Sequence, residues 1–142
     1  MDDLQRAKQI LEEENCTCVL CKEAVVHKSH RRGVAPLLEL LDEGADVIGA
    51  SAADRVVGKA TAFLYSLLGV RSVYAYVMSK PAARVLEQAG VEVSWGQLVE
   101  GIQNRKKDGP CPMEWATRDC TTPETALAAV RETLKQLQNS QA

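Results

Sequence analysis

The strongest constraint on this chain is an alternation of short β-rich runs with helical stretches, most of them cut off by a glycine. "CTCVLCKEAVVHKS" holds two β-rich runs, Thr17 to Cys21 and Ala24 to Lys28, close enough to pair as a hairpin. "RRGVAPLLELLDEG" reads as a helix over Val34 to Leu41, with Pro36 in its opening turn and Gly44 past its end. "ADVIGA" follows as a buried strand. A helix from Ala50 to Val70, ended by Gly69, comes next, then a β-rich "SVYAYVMS", a helix "KPAARVLEQAG" and a short strand "VEVSW". Leu4, Ala7 and Leu11 at helical spacing make the N-terminus read as an amphipathic helix and not as a signal or transit peptide. At the other end Thr122, Pro123 and Glu124 announce a helix with a stripe of Leu127, Val130, Leu134 and Leu137. The order predicts an α/β fold, a three-layer α/β/α sandwich with a mixed, largely parallel sheet opened by the hairpin. At 142 residues the chain fits one domain, residues 1–142.

A formal net charge of −2 argues against a general polyanion binder, so no nucleic-acid partner is expected. The longest uncharged apolar run, Ala60 to Val70, falls short of the roughly 18 residues of a membrane span. Five cysteines, three of them crowded into "CTCVLC", fit reduced thiols in a cytoplasm better than a disulfide framework. On a strand Cys16 and Cys18 would share one face and Cys21 the other, which makes a shared metal ion difficult. Neither a metal nor a cofactor is expected. His27 and His30 read as solvated residues near a helix start.

The Ala50 to Val70 stretch carries the most informative charges. As a helix it has an apolar arc of Val56, Val57, Ala60, Phe63, Leu64, Leu67 and Leu68, with Arg55 and Lys59 flanking it at i and i+4. Like charges so placed, in a first turn, oppose each other and the helix dipole, and Asp54 as a cap would offset part of this. A phosphate-binding loop fails on spacing, because Ala53 and Ala60 stand where a glycine and a hydroxyl are needed around Gly58 and Lys59. A second basic helix start, His27, Lys28, His30, Arg31 and Arg32, precedes Gly33 and Val34. In sheets of this class both starts lie at strand carboxyl ends, where basic groups can converge on an anion. The plainer alternative is that these side chains reach into water or pair with Glu39, Asp42 and Glu43.

"GPCPMEW" lies in a long loop between Gln97 and Cys120, where Gly109, Pro110 and Pro112 fix a turn. Such a turn can present Cys111 as a soft nucleophile and Glu114 as a general base or hydroxyl acceptor at a pocket mouth. Its alternative is a rigid loop anchored by Met113 and Trp115.

"RGVAPLLELL", "ADRVVGKATAFL" and "CPMEW" together resemble a small, uncharacterised bacterial family, a domain of unknown function with a cytidine-deaminase-like α/β/α fold. The resemblance covers the chain from the first strand through the final helix and implies no established activity. Zinc deaminases of that fold hold their metal with H-x-E or C-x-E at one helix start and P-C-x-x-C at a second. By the resemblance these positions fall on Arg32, Gly33 and Val34 and on Ala53, Asp54 and Arg55, so zinc-dependent deamination is not expected. "PCPME" imitates the second motif with Glu114 in place of a cysteine, too late in the chain. The resemblance also implies that the two helix starts face one pocket.

The expected function is therefore a non-metal, small-molecule-binding domain for an anionic, phosphorylated or nucleotide-like ligand. Its expected ligand-binding residues are Arg31, Arg32, Gly33, Asp54, Arg55, Lys59 and Glu114, with Lys59 and Asp54 at the centre. Lys59, Asp54, Glu114 and Cys111 are the candidates should the site turn a substrate over, Lys59 as acid, base or Schiff-base amine. The competing expectation is a regulatory or homo-oligomeric interaction module that has lost such a site, and a third is a thiol-based metal or redox protein.

Overall fold

The computed structural model describes residues 2–103 and 109–140. Its elements are α1 (Asp3–Glu13), β1 (Cys18–Lys22), β2 (Val25–Ser29), α2 (Ala35–Glu43), β3 (Ser51–Val57), α3 (Lys59–Leu68), β4 (Ser72–Ser79), α4 (Lys80–Gln88), β5 (Glu92–Val99), α5 (Pro112–Thr117) and α6 (Pro123–Ser140). The strands form one sheet in the order β2-β1-β3-β4-β5. β1 runs antiparallel to β2 and β3, while β3, β4 and β5 pair in parallel, so β1 alone opposes the other four in direction. The mixed α/β sheet expected from the alternation is present, with helices on both faces.

The hairpin closes through Glu23 and Ala24, since Lys22 pairs with Val25. Glu23 has a positive φ of 54°, and α1 steadies it: its N–H donates to Asp3 Oδ2 at 3.2 Å, and Arg6 donates to its carbonyl. α1 opens on the Asp2 carboxylate, which accepts from Gln5 N–H at 2.8 Å. Its apolar side, Ala7 and Leu11, packs with Cys16, Val19, Cys21 and Ala53 against one face of the sheet. The larger cluster on the other face includes Leu20, Leu37, Val57, Leu64, Tyr65 and Met78 under α2, α3 and α4. α6 packs on α3 and α5.

Two expectations need correction here. The stretch from Ala50 is not a helix until Lys59: Ser51–Val57 is the central strand β3, and Gly58, in extended conformation, leads into α3. Ser51, Ala52, Ala53 and Asp54 are buried in succession between β1 and β4. A strand covered on both faces shows no two-residue alternation, and its alanines favour a helical reading that tertiary packing overrides. Arg55 and Lys59 are thus not neighbours on one helix. "ADVIGA" is in turn not a strand but a turn, with Gly49 at φ 82°, tied down by Gly49 N–H to the Gly69 carbonyl at 2.8 Å and Arg71 N–H to the Ala50 carbonyl at 2.8 Å.

The thiols also sort differently. β1 begins at Cys18, so Cys16 lies ahead of the strand and joins Cys21 on the α1 face, leaving Cys18 on the α3 face. β5 continues to Val99, and the long loop after it contains α5, its residues 104–108 lying outside the described residues. α6 starts as expected, with Thr122 Oγ1 accepting from Thr125 N–H at 3.2 Å, but its stripe is buried only in part: Val130 is fully buried, Leu127 and Leu134 pack against the core half-buried, and Leu137 is 38% exposed.

Candidate functional site

α2 follows the carboxyl end of β2 and α3 that of β3, and these two strands run the same way. The starts of both helices therefore meet at one end of the sheet, beside the beginning of the opposed β1. Between them lies a cavity of about 280 Å³, closed from the side by Ile102 and α5. Arg31, Arg32, Gly33, Asp54, Arg55, Cys111 and Glu114, all named from the sequence, line it. Lys59 does not.

Asp54 is the chemical centre of the cavity. Its place on β3 alternates with Ala53, so it turns to the α3 face, opposite Cys18 in the β1 register. It is 9% exposed and is a strand residue, not the helix cap expected. Tyr65 O–H, from α3, donates to Asp54 Oδ2 at 2.7 Å, and Val56 N–H donates to Oδ1 at 3.3 Å. Burial pushes the carboxyl up to about 6, against the pull of these two hydrogen bonds and, most weakly, of Arg55. The Cys18 thiol lies 3.2 Å from the Tyr65 hydroxyl. Burial and the nearby Asp54 hold both the thiol and the phenol well above their ordinary ranges. Among the described residues no ion pair reaches Asp54.

Arg55, the next residue, goes to the opposite face. Its Nε donates to the Cys16 carbonyl at 2.7 Å, its Nη2 to the Leu11 carbonyl at 3.1 Å and to Asn15 Oδ1 at 3.2 Å, and the guanidinium lies over the Tyr76 ring. It closes the carboxyl end of α1, where backbone carbonyls lack helical partners. Only the wall of the cavity, not its charge, comes from Arg55.

Glu114 serves α3. That helix has no side-chain cap and no acidic residue in its first turn, and Glu114 Oε1 accepts from Lys59 N–H at 2.7 Å, supplying the negative charge that a helix start favours. Burial raises its pKa while Lys59 and the Ser79 hydroxyl hold it down. The approach is possible because residue 58 is glycine: a Cβ there would stand 2.0 Å from Glu114 Oε1 and 3.1 Å from Ile102 Cγ1. The Lys59 ammonium meanwhile turns outward, donating to the Arg118 carbonyl at 2.8 Å and passing 5.8 Å from the Phe63 ring centre.

At the mouth, Thr17 Oγ1 donates to the carbonyls of Ser29 and Arg31, and Gly33 takes a φ of 65° to turn the chain into α2. Arg31 pairs with Glu39, as the plainer reading of the basic helix start anticipates. Arg32 is exposed and makes no ion pair among the described residues. Cys111 lies half-buried on the wall, its N–H donating to the Ile102 carbonyl at 2.9 Å. Met113 packs against the core, whereas Trp115 is 58% exposed and stacks on Arg118, so the loop is anchored by the first and not by the second. His27 lies outside this cavity and His30 is exposed, its Nε2 3.3 Å from the Glu14 carbonyl. Among the described residues no group of three or more His, Cys, Asp or Glu side chains is arranged to hold a metal ion.

Cys18 and Thr61, which line the cavity, and Tyr65, which holds Asp54 from behind it, are not among the site residues expected from the sequence. The helix Ala60–Tyr65 is buried throughout, so no polar stripe marks Tyr65. A correct strand assignment for Ser51–Val57 would have aimed Asp54 at that helix.

No helix among the described residues is long and apolar enough to cross a membrane. No curated protein matches the chain. A DUF1893 family protein (TM1506) from Thermotoga maritima has a similar structure, with a TM-score of 0.85 at 23% identity over 93% of this chain and 90% of that one. A dCMP deaminase from the cyanophage S-TIM5, in apo form, matches at a TM-score of 0.46 and 15% identity over 66% of this chain and 93% of its own. The model of the TM1506 domain of unknown function matches residues 6–134, and the chain belongs to this DUF1893 family.

Proposed function

We propose that the domain binds an anionic small molecule, phosphorylated or nucleotide-like, in the cavity between the starts of α2 and α3. The observation that carries this reading is the pairing of exposed Arg31 and Arg32 at the mouth with hydrogen-bond acceptors, Asp54 and Glu114, further in. Guanidinium groups suit a phosphate or carboxylate in geometry and charge, and a mostly apolar wall with a few polar groups is the usual make-up of a ligand pocket. Glu39 already shares Arg31, so Arg32 is the stronger anion contact. Glu114 and Asp54 accept from hydroxyl or amino groups on the rest of the ligand. Five free cysteines suit a reducing compartment, and we place the protein in a bacterial cytoplasm.

The test is a thermal-shift screen against inorganic phosphate, sugar phosphates and nucleotides, with Arg31→Gln/Arg32→Gln in parallel. A ligand at 100 times its dissociation constant adds about 2.7 kcal/mol, a rise of several degrees for a domain of this size. A rise in wild type that the double variant loses is the expected result. No rise with any anion would turn the reading to an interaction module, with the oligomeric state as the next measurement.

A further inference from the structure

The cavity is polarised: its carboxyls sit inside and its guanidinium groups at the mouth. A purely anionic ligand satisfies only the outer half. Asp54 is nine-tenths buried, without an ion pair among the described residues, and a hydrogen bond from Tyr65, a long one from Val56 N–H and a weaker approach of Arg55 N–H do not fill a carboxylate's four acceptor positions. Its α3 side faces the cavity, and no lysine or histidine lines that space among the described residues. The neighbouring arginine does not fill this role, because Arg55 is committed to the end of α1.

Resting on the anion reading above, we propose that the ligand is zwitterionic, with a protonated amine or amidinium received by Asp54 inside and its anionic group held by Arg31 and Arg32 at the mouth. Tyr65 is then a positioning residue: its hydroxyl fixes one carboxylate oxygen and leaves the other turned to the cavity. Besides Asp54, the titratable and charged groups lining this space are Cys18 from β1, Arg55 from β3, Cys111 and Glu114 at the start of α5, and Arg31 and Arg32 ahead of α2, while Tyr65 reaches Asp54 from the buried side of α3. Burial raises the thiol of Cys18 and the phenol of Tyr65 well above their ordinary ranges, so both stay protonated near neutral pH. It raises the Glu114 carboxyl too, so the proton release assigned to Asp54 is the part that Asp54→Asn removes. Asp54, held to about 6, changes charge near neutral pH. A cation bound to its carboxylate lowers that value, so binding releases protons near pH 6 and tightens as pH rises from 5 to 7.5. A bound anion alone has the opposite sign.

The probes are aminoalkyl sulfonates of two to four carbons against alkyl sulfonates of equal length, whose anion does not titrate in this range. Calorimetry at pH 7.5 is expected to show at least tenfold tighter binding of one aminoalkyl sulfonate, a preference that Asp54→Asn abolishes. Wild type itself provides the control for a variant that fails to fold: the preference shrinks below pH 6 and protons are released on binding. Equal binding of both series, a preference surviving in Asp54→Asn, or proton uptake would overturn the proposal. If in addition Arg31→Gln/Arg32→Gln weakens both series, the anion reading stands without it. Conversely, an alkylamine that binds wild type but not Asp54→Asn, with no sulfonate effect of the arginines, keeps the cation site and overturns both the anion half and the zwitterion. No binding by any of these probes overturns both readings.

Discussion

Asp54 and Arg55 are neighbours on β3, yet they send opposite charges to opposite faces of the sheet. On the α1 face the half-buried guanidinium has three hydrogen-bond acceptors and an aromatic ring, all supplied by the protein. On the α3 face the carboxylate has a phenol and one distant backbone N–H, with the Cys18 thiol nearby, and it lines a cavity. The difference teaches how to separate a structural charge from a functional one. Removing the first should loosen the fold, while removing the second should tighten it and empty the site.

The largest effect is expected on the structural side. Arg55→Ala removes the side-chain donor to the Cys16 carbonyl and leaves the Leu11 carbonyl with the Cys16 N–H at 3.1 Å, and with charged hydrogen bonds contributing about 1.5 to 3 kcal/mol each at most, a loss of about 3 kcal/mol in urea unfolding is expected. Amide exchange in α1 should accelerate before that of α3. Unchanged stability would mean that α1 is held by Ala7 and Leu11 alone, and the contrast between the faces would fail.

Asp54→Asn should do the reverse. The folded carboxyl, raised from 3.8 to about 6, binds its proton more tightly than the unfolded one. Its stabilising contribution is therefore complete below pH 3.8 and is lost as pH rises through about 6, a difference of about 3 kcal/mol. An amide has no charge to desolvate but accepts more weakly from Tyr65, so the variant should be about 2 kcal/mol more stable than wild type at pH 8. The gain should vanish near pH 4. A variant destabilised at both pH values would show that the carboxylate is needed for folding and not for a ligand.

The same pair of residues shows what a sequence can and cannot disclose. α1, the hairpin, α2, β4, α4 and α6 carry their own signals: Asp2 as cap, Pro36 and Gly44 bracketing α2, and Thr122 before Pro123. β3 carries none, since Ser51 to Asp54 are all covered and neither period appears. With no strand signal of its own, the stretch around Asp54 and Arg55 reads as the start of a helix, which conceals the alternation that sends them to two faces. Arg31, Arg32, Gly33, Cys111 and Glu114 nonetheless belong to the cavity, because a helix start and a proline-fixed turn are local features. Tyr65 and Cys18 join Asp54 only through strand register and helix packing, which are not local.

A smaller effect separates the partners of Asp54. Tyr65→Phe removes a hydroxyl donated to a carboxylate at 2.7 Å and is expected to lower stability by about 1 kcal/mol at pH 5, where the carboxyl is mostly protonated, and by more at pH 8. The sign follows from the bond, which favours the ionised form, so its loss moves the Asp54 midpoint above about 6. Equal losses at both pH values would show that the phenol packs without positioning the carboxylate. Chemical-shift titration of the Asp54 carboxyl reads this directly.

The smallest effect concerns Lys59, whose backbone and side chain do different things. Its N–H, not its ammonium, meets Glu114, and the ammonium reaches the Arg118 carbonyl outside the cavity. Lys59→Met keeps the first contact and loses the second, an exposed hydrogen bond, so a stability change below about 0.5 kcal/mol is expected. Anion binding should be unaltered, in contrast to the loss expected when Arg31 and Arg32 are changed. A folded Lys59→Met protein that no longer binds phosphate would move the anion from the α2 start to the α3 start. Glu114 would then be the group that leaves the helix end when the ligand arrives, because one backbone N–H cannot serve both.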